Sequence, residues 1–427
     1  MDETPVVTVF LRNGTAVLLL RRSEEVGSYR GQWGGVAGHA EGDPDAAARA
    51  EVEEETGIDP DTLALVRRGD PVEVPDADLD TRWVVHPYLF DCPTRAVETD
   101  WETTETAWVV PPEILRRETV PKLWEAYAAV SPTPERVAAD ETHGSAYISV
   151  RAVEALRDRA ALLVERPLDG REEAATGAPE TGWDALAELA ADLLDARPSM
   201  AALRNRVNRV MHDARESTPA AVEGAATVVI DDALAADAGA AAEAVPLLAN
   251  ARVFTLSRSG TVTDALREGD PDVVVVAESR PAREGVVVAE RLAADGLDVT
   301  LVTDAAACWL AGEADLALVG ADTVLPDGRL VNKVGTRALA LAAARVGVAV
   351  YAVCAADKVS PDGHLVLEEG DPAAVYDGAA PLTVRNPTFD VTPADLLAGV
   401  VTEEGVLDAD EVAAVAERHR ALGAWRR

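Results

Sequence analysis

The chain has 427 residues, more than one hydrophobic core usually serves, and 48% of them are hydrophobic, so two or three domains with real cores are expected. Its 75 Asp and Glu outweigh 39 Lys and Arg to a formal net charge of −36, and lysine is confined to Lys122, Lys333 and Lys358. Such a chain repels phosphate backbones and anionic lipid heads, which excludes direct nucleic-acid or membrane-surface binding as its main work.

The acidic residues are spread over the whole length. With lysine avoided, that distribution predicts a surface kept hydrated in concentrated salt, where repulsion is screened within a few ångströms, hence a halophilic cytoplasm. Cys92, Cys308 and Cys354 are too few and too scattered for a disulfide framework or a zinc site. The start, MDETPVVTVF, lacks a charged leader region, and no apolar run reaches membrane-spanning length, so a soluble cytoplasmic protein is expected.

In chain order, residues 5–11 and 15–22 flank Asn13-Gly14, a hairpin signal. The Gly-rich stretch GQWGGVAGHAEGD reads as a ligand-wrapping loop, followed by a helix from about Asp45 to Thr56 that Gly57 stops. LALVRR (63–68) and WVVHPYLFDC (83–92) read as strands. WETTETAWVV then leads to a helix opened by Pro111 and Pro112. A compact unit of about 130 residues is expected, with a boundary near residue 133. Helical patterns run from about Ser145 to Ala214, broken by a polar surface loop, ERPLDGREEAATGAPETG. From Ala225, apolar β-branched runs (ATVVI, RVFTL, DVVVVAE, DVTLVTD, LALVG, VAVYAVC) alternate with Ala-rich helices, predicting a parallel sheet covered on both faces.

Glu51, Glu54 and Glu55 fall on one stripe of the predicted helix, where like charges repel by a few tenths of a kcal/mol per pair. Such a stripe is either a solvated face or a hard-oxygen site for Mg²⁺ or Mn²⁺. The preceding glycine loop and hairpin favour the metal. Here the sequence resembles the Nudix family, whose box is a glycine loop followed by Arg-Glu-aliphatic-x-Glu-Glu-x-Gly-aliphatic. Glu51, Val52, Glu54, Glu55, Gly57 and Ile58 match, with Gly38 as the loop glycine. The box arginine position holds Ala50, with Arg49 beside it. The loop is two residues shorter than usual, leaving the upstream acid open between Glu41 and Asp43. The resemblance implies an α/β/α sandwich over residues 1–132. It also implies hydrolysis of a nucleoside diphosphate derivative with Mg²⁺ (or Mn²⁺) on Glu51, Glu54 and Glu55.

In the second half, Asp322 follows LALVG directly, where open α/β sheets bind ligands, although a lone strand-end Asp also serves as a helix cap or turn former. Ser257, Arg258 and Ser259 end the RVFTL run as a phosphate cradle. Glu278 and Arg280 end the next, and NKVGT offers Asn332 and Lys333. These stretches, with DETHGSAYIS, ARPSMAALRN and CAADKVSP, resemble the initiation factor 2B-related family, which includes ribose-1,5-bisphosphate and methylthioribose-1-phosphate isomerases. The resemblance spans about 135–427. It implies a helical subdomain (135–220), a Rossmann-like parallel-sheet domain (221–427) and a homo-oligomer through this module. It also implies a phosphorylated sugar or nucleotide as ligand, with Gly144 and Ser145 opening a phosphate-binding helix. Of the isomerases' cysteine and aspartate, the aspartate maps onto Asp322 and the cysteine position holds Ser257. Two readings stay open from sequence: a hydrolase fused to a ligand-binding module, or a ligand-binding regulator without turnover, with residual isomerisation by Asp322 as a variant.

Overall fold

The computed structural model describes residues 2–40, 42–168, 181–365 and 367–426. Glu41, and residues 169–180 of the expected polar loop, lie outside them. The chain divides into two compact units, Met1–Pro132 with Asp158–Asp169, and Thr133–Arg157 with Gly170–Arg427.

In the first unit the strands are β1 (Asp2–Asn13), β2 (Ala16–Arg22), β3 (Trp33–Gly34), β4 (Val36–His39), β5 (Ala64–Arg68), β6 (Val72–Asp76), β7 (Thr81–Asp91) and β8 (Thr103–Val109). The helices are α1 (Pro44–Thr56), α2 (Glu113–Arg116) and α3 (Leu123–Ala128). β1 and β2 form the expected hairpin about Gly14, whose φ is 65°, and β1 runs parallel to β7 from Asp2↔Thr81 to Arg12↔Asp91. Alternation decides the faces. Val9, Leu11, Leu18 and Leu20 pack with Ala48 and Val52 of α1, while Phe10, Val17 and Leu19 pack with Ile114 of α2 and Leu123, Trp124 and Tyr127 of α3. One sheet between helices is the α/β/α sandwich. The Gly-rich stretch expected as a loop instead holds β3 and β4, because Trp33 and Val36 are buried and β4 pairs antiparallel with β1.

The second unit opens with α4 (Pro134–Ala139), α5 (Ser145–Glu165, of which the residues from Asp158 on count with the first unit), α6 (Gly182–Ala196), α7 (Ala201–Asp213) and α8 (Pro219–Ala244). ATVVI, expected as a strand, lies inside α8, and the expected subdomain limit at residue 220 falls at its start. Thr218 caps this helix and Pro219 begins it. Val222, Ala226, Val229, Ile230 and Ala233 are buried at helical spacing, so the apolar run is one helix face. There follow β9 (Arg252–Leu256), α9 (Gly260–Glu268), β10 (Val273–Ala277), α10 (Glu284–Ala294), β11 (Val299–Val302), α11 (Asp304–Leu310), β12 (Leu316–Gly320), β13 (Thr323–Val324), β14 (Leu330–Lys333), α12 (Thr336–Val346), β15 (Ala349–Val353), β16 (Phe389–Thr392), β17 (Gly399–Thr402), β18 (Gly405–Leu407) and α13 (Ala409–Leu422).

The main sheet has the order β11-β10-β9-β12-β15-β17-β18, parallel except for the last pair. Ala244, Ala265 and Leu292 of α8 to α10 cover one face with Val253, Val274 and Leu318. Ala307, Leu339 and Val412 of α11 to α13 cover the other with Phe254, Val275 and Val319. From β9 the chain steps outward to β10 and β11, then returns to β12 on the opposite side. That reversal is a topological switch point, and open α/β sheets place ligands beyond the carboxyl ends of the strands that flank it, here β9 and β12.

Candidate functional site

In the first unit, Asp43 caps α1, its side chain accepting from the Asp45 N–H at 3.1 Å, and Pro44 pre-sets the first turn. Gly57, at φ 66°, ends the helix in the left-handed conformation. This rigid helix sets Glu51 and Glu55 against β4. The Glu55 carboxylate is buried, with Oε1 accepting from the Ala37 N–H at 3.2 Å. Gly38 is required by close approach: a Cβ there would lie 1.8 Å from Glu51 Oε1. Glu51 is half-buried and Glu54 exposed. Arg49, beside Ala50, is turned away; it donates to the Pro60 carbonyl at 2.8 Å and stands 5.2 Å from the Phe90 ring centroid.

Burial pushes the Glu55 carboxyl up to about 8, with Glu51 and Glu102 adding repulsion and Arg22 opposing it. Burial also raises Glu51, aided by Glu54 and Glu102 against the pull of His39. As the side chains stand, no group of three or more His, Cys, Asp or Glu among the described residues is gathered closely enough to hold a metal ion. The donor set nevertheless fits a hard divalent cation in its chemistry. Carboxylates crowd one helix face, and a glycine cradle admits one of them. Burial, with repulsion among Glu51, Glu54, Glu55 and Glu102, raises the carboxyls of Glu51 and Glu55, and a bound cation would relieve that repulsion.

In the second unit, Asp140 accepts from the Thr142 and His143 N–H groups, each at 3.0 Å, folding the turn that presents Gly144 and Ser145 at the start of α5. Gly144 is exposed. Ser145 is buried, and its Oγ has no hydrogen-bond partner among the described residues. Arg206, fully buried beneath this first turn, donates to the Ala146 carbonyl at 3.1 Å and Ser149 Oγ at 2.8 Å. Arg258 donates to the Thr142 carbonyl, so the segment after β9 meets the opening of α5.

Ser257, Arg258 and Ser259 follow β9 as expected. Ser257 has φ 61°, its N–H donates to Ser279 Oγ at 2.7 Å, and among the described residues no base stands within hydrogen-bond reach of its hydroxyl. Ser259 caps α9 and lies against Gly320, where a Cβ would meet Ser259 Cβ at 2.8 Å and Asn332 Oδ1 at 3.9 Å. The ends of β9, β12 and β14 therefore converge. Asn332 and Lys333 lie not at a parallel strand end but in β14, part of the small antiparallel sheet β13-β14-β16. Asn332 is buried and donates to Thr336 Oγ1 at 2.9 Å. Lys333 is paired with Glu284 at 2.5 Å, and the other Glu284 oxygen is buried without a hydrogen-bond partner among the described residues. Glu278 faces Arg283 at 3.8 Å, and Arg280 is exposed, its N–H held by Asp304 at 2.7 Å.

Burial raises the Asp322 carboxyl, against the pull of Lys358 and Lys333. Lys358, absent from the residues singled out above, is buried and donates to the Ala321 carbonyl at 2.6 Å. Its signal was CAADKVSP: a lysine after a buried strand needs a partner. Arg22, Glu102 and Glu284 carried no motif. Cys354, at the end of β15, is fully buried with its thiol pushed up to about 12, which removes it as a nucleophile.

Residues 141–409 match the initiation factor 2 subunit family and residues 2–130 match the NUDIX domain. The chain is 32% identical over 287 residues to a ribose 1,5-bisphosphate isomerase of Haloferax volcanii, covering 62% of this chain and 84% of that one. A ribose 1,5-bisphosphate isomerase of Haloterrigena turkmenica is 30% identical over 308 residues, covering 65% of this chain and 89% of that one. Among solved structures, translation initiation factor eIF-2B of Pyrococcus horikoshii OT3 superimposes with a TM-score of 0.54 at 27% identity, over 64% of this chain and 94% of that one. The chain belongs to the initiation factor 2 subunit family and carries a Nudix domain ahead of the family region. Among the described residues no helix is long and apolar enough to cross a membrane.

Proposed function

We propose that the first unit is a divalent-metal-dependent hydrolase of a nucleoside diphosphate derivative, and that the second binds a phosphorylated sugar or nucleotide without isomerising it. The carboxylate face supports the first half: Glu55 is buried and pushed up to about 8, and Glu51 is seated on Gly38. Glu51, Glu54 and Glu55 would hold the metal; Mg²⁺ (or Mn²⁺), when bound, polarises a diphosphate and lowers the pKa of water. Burial of Glu55 and its bond from Ala37 fix the direction of its carboxylate, and Gly38 keeps the Glu51 carboxylate close to β4.

The second half rests on Ser257. Moving a proton between neighbouring carbons needs an acid–base pair with pKa values near the working pH. Asp322 supplies one partner, while the Ser257 hydroxyl has no base beside it among the described residues. Ser145 Oγ, buried at the first turn of α5 with no partner among the described residues, and Arg258 would supply donors for a phosphate. The isomerase reading is favoured by the names of the two archaeal relatives.

Mass-spectrometric screening of nucleoside diphosphate derivatives and pentose phosphates with Mg²⁺ in high salt separates these readings. Nucleotide-type hydrolysis products without ribulose 1,5-bisphosphate are expected. Ribulose 1,5-bisphosphate formed at an ordinary enzyme rate would promote the isomerase, and no turnover of any compound would leave a regulator.

A further inference from the structure

We infer that the ring of His143 is a stacking platform for a flat heterocyclic base at the opening of α5, so that the second unit prefers a nucleoside 5′-phosphate to a bare sugar phosphate. The inference deepens the ligand-binding reading of that unit and rests on it. His143 stands one residue before Gly144. Its ring lies face to face on that of Tyr147, with centroids 3.9 Å apart and planes 16° from parallel. Aromatic pairs ordinarily settle offset or edge-on at 4.5–7 Å. The pairs Phe10–Tyr127, His39–Trp83, Tyr88–Phe90 and Trp124–Tyr127 do so, at 5.5 to 6.2 Å. The closer stack is held from both ends. His143 Nδ1–H donates to Asp140 Oδ2 at 2.8 Å, which fixes the ring plane, and the Arg151 guanidinium lies 5.0 Å behind the Tyr147 ring centroid.

Residues 143, 147 and 151 follow one another at four-residue spacing, so three flat groups form a column along one helix face. Arg151, buried, closes its inner end. The outer end is His143, whose side chain is 40% exposed. Tyr147 covers one face of that ring and Asp140 its Nδ1 edge, so the exposure falls on the other face and the Nε2 edge. A second observation stands beside it. Ser145 is 4% exposed, and its Oγ is buried with no hydrogen-bond partner among the described residues. Arg258 reaches the same turn, donating to the Thr142 carbonyl. A hydroxyl in want of a partner, at a helix N-terminus that favours anions, suits a phosphate. Residues 143 and 145 are at most about 7 Å apart along the chain, a span that a nucleoside 5′-phosphate bridges between base and phosphorus. A sugar phosphate would fill the serine end and leave the His143 face to water. Because every nucleobase offers a π-face, the platform selects nucleotides as a class and not one base over another.

The test is calorimetry on the full chain in high salt, with EDTA to withhold metal from the first unit. AMP, UMP and ribose 5-phosphate are titrated into wild type, His143→Ala, His143→Phe and His212→Ala, the last a surface histidine beside Asp213. Base stacking predicts that wild type binds AMP and UMP about 5- to 150-fold more tightly than ribose 5-phosphate. His143→Ala should lose that margin and keep its affinity for ribose 5-phosphate. His143→Phe, which retains a flat face, should keep the margin, as should His212→Ala. Thermal midpoints exclude unfolding, and the wild-type margin carries the test should His143→Ala not fold. Equal wild-type affinity for AMP and ribose 5-phosphate overturns the inference and leaves the ligand-binding reading standing, as does a margin that His143→Ala preserves. A His143-dependent margin in a protein that also releases ribulose 1,5-bisphosphate from ribose 1,5-bisphosphate would do the reverse. Binding of none of the three overturns both.

Discussion

Arg206 and Asp357 meet in the interior of the second unit, Nε to Oδ2 at 3.0 Å, with no exposed surface on the arginine side chain. Arg209 takes the other carboxylate oxygen at 2.8 Å, and Asn205 donates to the Asp357 carbonyl at 2.8 Å. This knot ties α7 to the segment carrying Lys358, and through Ala146 and Ser149 to the opening of α5. Removing one partner strands a buried charge. Arg206→Met should destabilise the second unit by about 3–5 kcal/mol in denaturant titration, and the double variant Arg206→Met/Asp357→Leu by less than the two single losses added.

The same knot sets a pH limit. His419, buried and donating Nδ1–H to the Val359 carbonyl at 2.8 Å, is held below its ordinary value of 6.5 by burial; Asp357 attracts its proton, and Arg209 and Arg418 repel it. Its folded pKa is the lower one, so unfolding takes up a proton as pH drops below about 6.5 and stability falls from there. Asp357 is held below the usual carboxylate range despite its burial, chiefly by Arg206 and Arg209, so its contribution is present above about 4 and lost beneath. Stability measured against pH should fall in two limbs. His419→Gln should abolish the upper limb alone; an unchanged upper limb would place the proton uptake elsewhere.

Gly38→Ala should leave the fold intact yet cost activity. Its Cβ would collide with the end of a flexible side chain, Glu51, rather than with backbone. The carboxylate moves, and metal-dependent hydrolysis should drop as far as in Glu51→Gln with little change in thermal midpoint. Full activity in Gly38→Ala would show that the Glu51 position is immaterial.

In the second unit, wild type should bind ribose 1,5-bisphosphate by calorimetry and release no ribulose product. Arg280→Ala should weaken that binding by about 1.5–3 kcal/mol, the worth of a hydrogen bond to a charged group. Unaltered affinity in Arg280→Ala would remove this exposed arginine from the ligand's surroundings.

With −36 charges, self-repulsion grows as screening weakens. The thermal midpoint should fall sharply between molar salt and about 0.1 M, and a flat profile would remove the halophilic reading.

Sequence pattern gave α1 to within a residue, because Asp43-Pro44 and Gly57 are local signals of its two ends. β9, β10, β12 and β15 were equally plain as apolar runs between helices. ATVVI misled because β-branched residues favour strands by local preference, while the alanines around it and the Thr218 cap commit the segment to a helix. The glycine stretch misled in the opposite direction: pairing with β1 and burial of Trp33 and Val36 are non-local. Site residues on strand ends were visible as polar breaks in apolar runs. Their engagements were not. That Lys333 is held by Glu284, and that Ser145 Oγ has no partner among the described residues, depend on residues far away in sequence.

The three lysines sit in three different states. Lys122 is exposed, Lys333 is bound to Glu284, and Lys358 is sealed inside against the Ala321 carbonyl. An amine-selective acylating reagent thus meets one ε-amine at the surface, where it donates to the Glu73 carbonyl at 2.7 Å, one tethered at β14 and one shielded. Two of the three lie in the field of Asp322. The rate at which Lys333 is labelled becomes a gauge of what binds beside β14, read from a single peptide with the exposed Lys122 as internal reference.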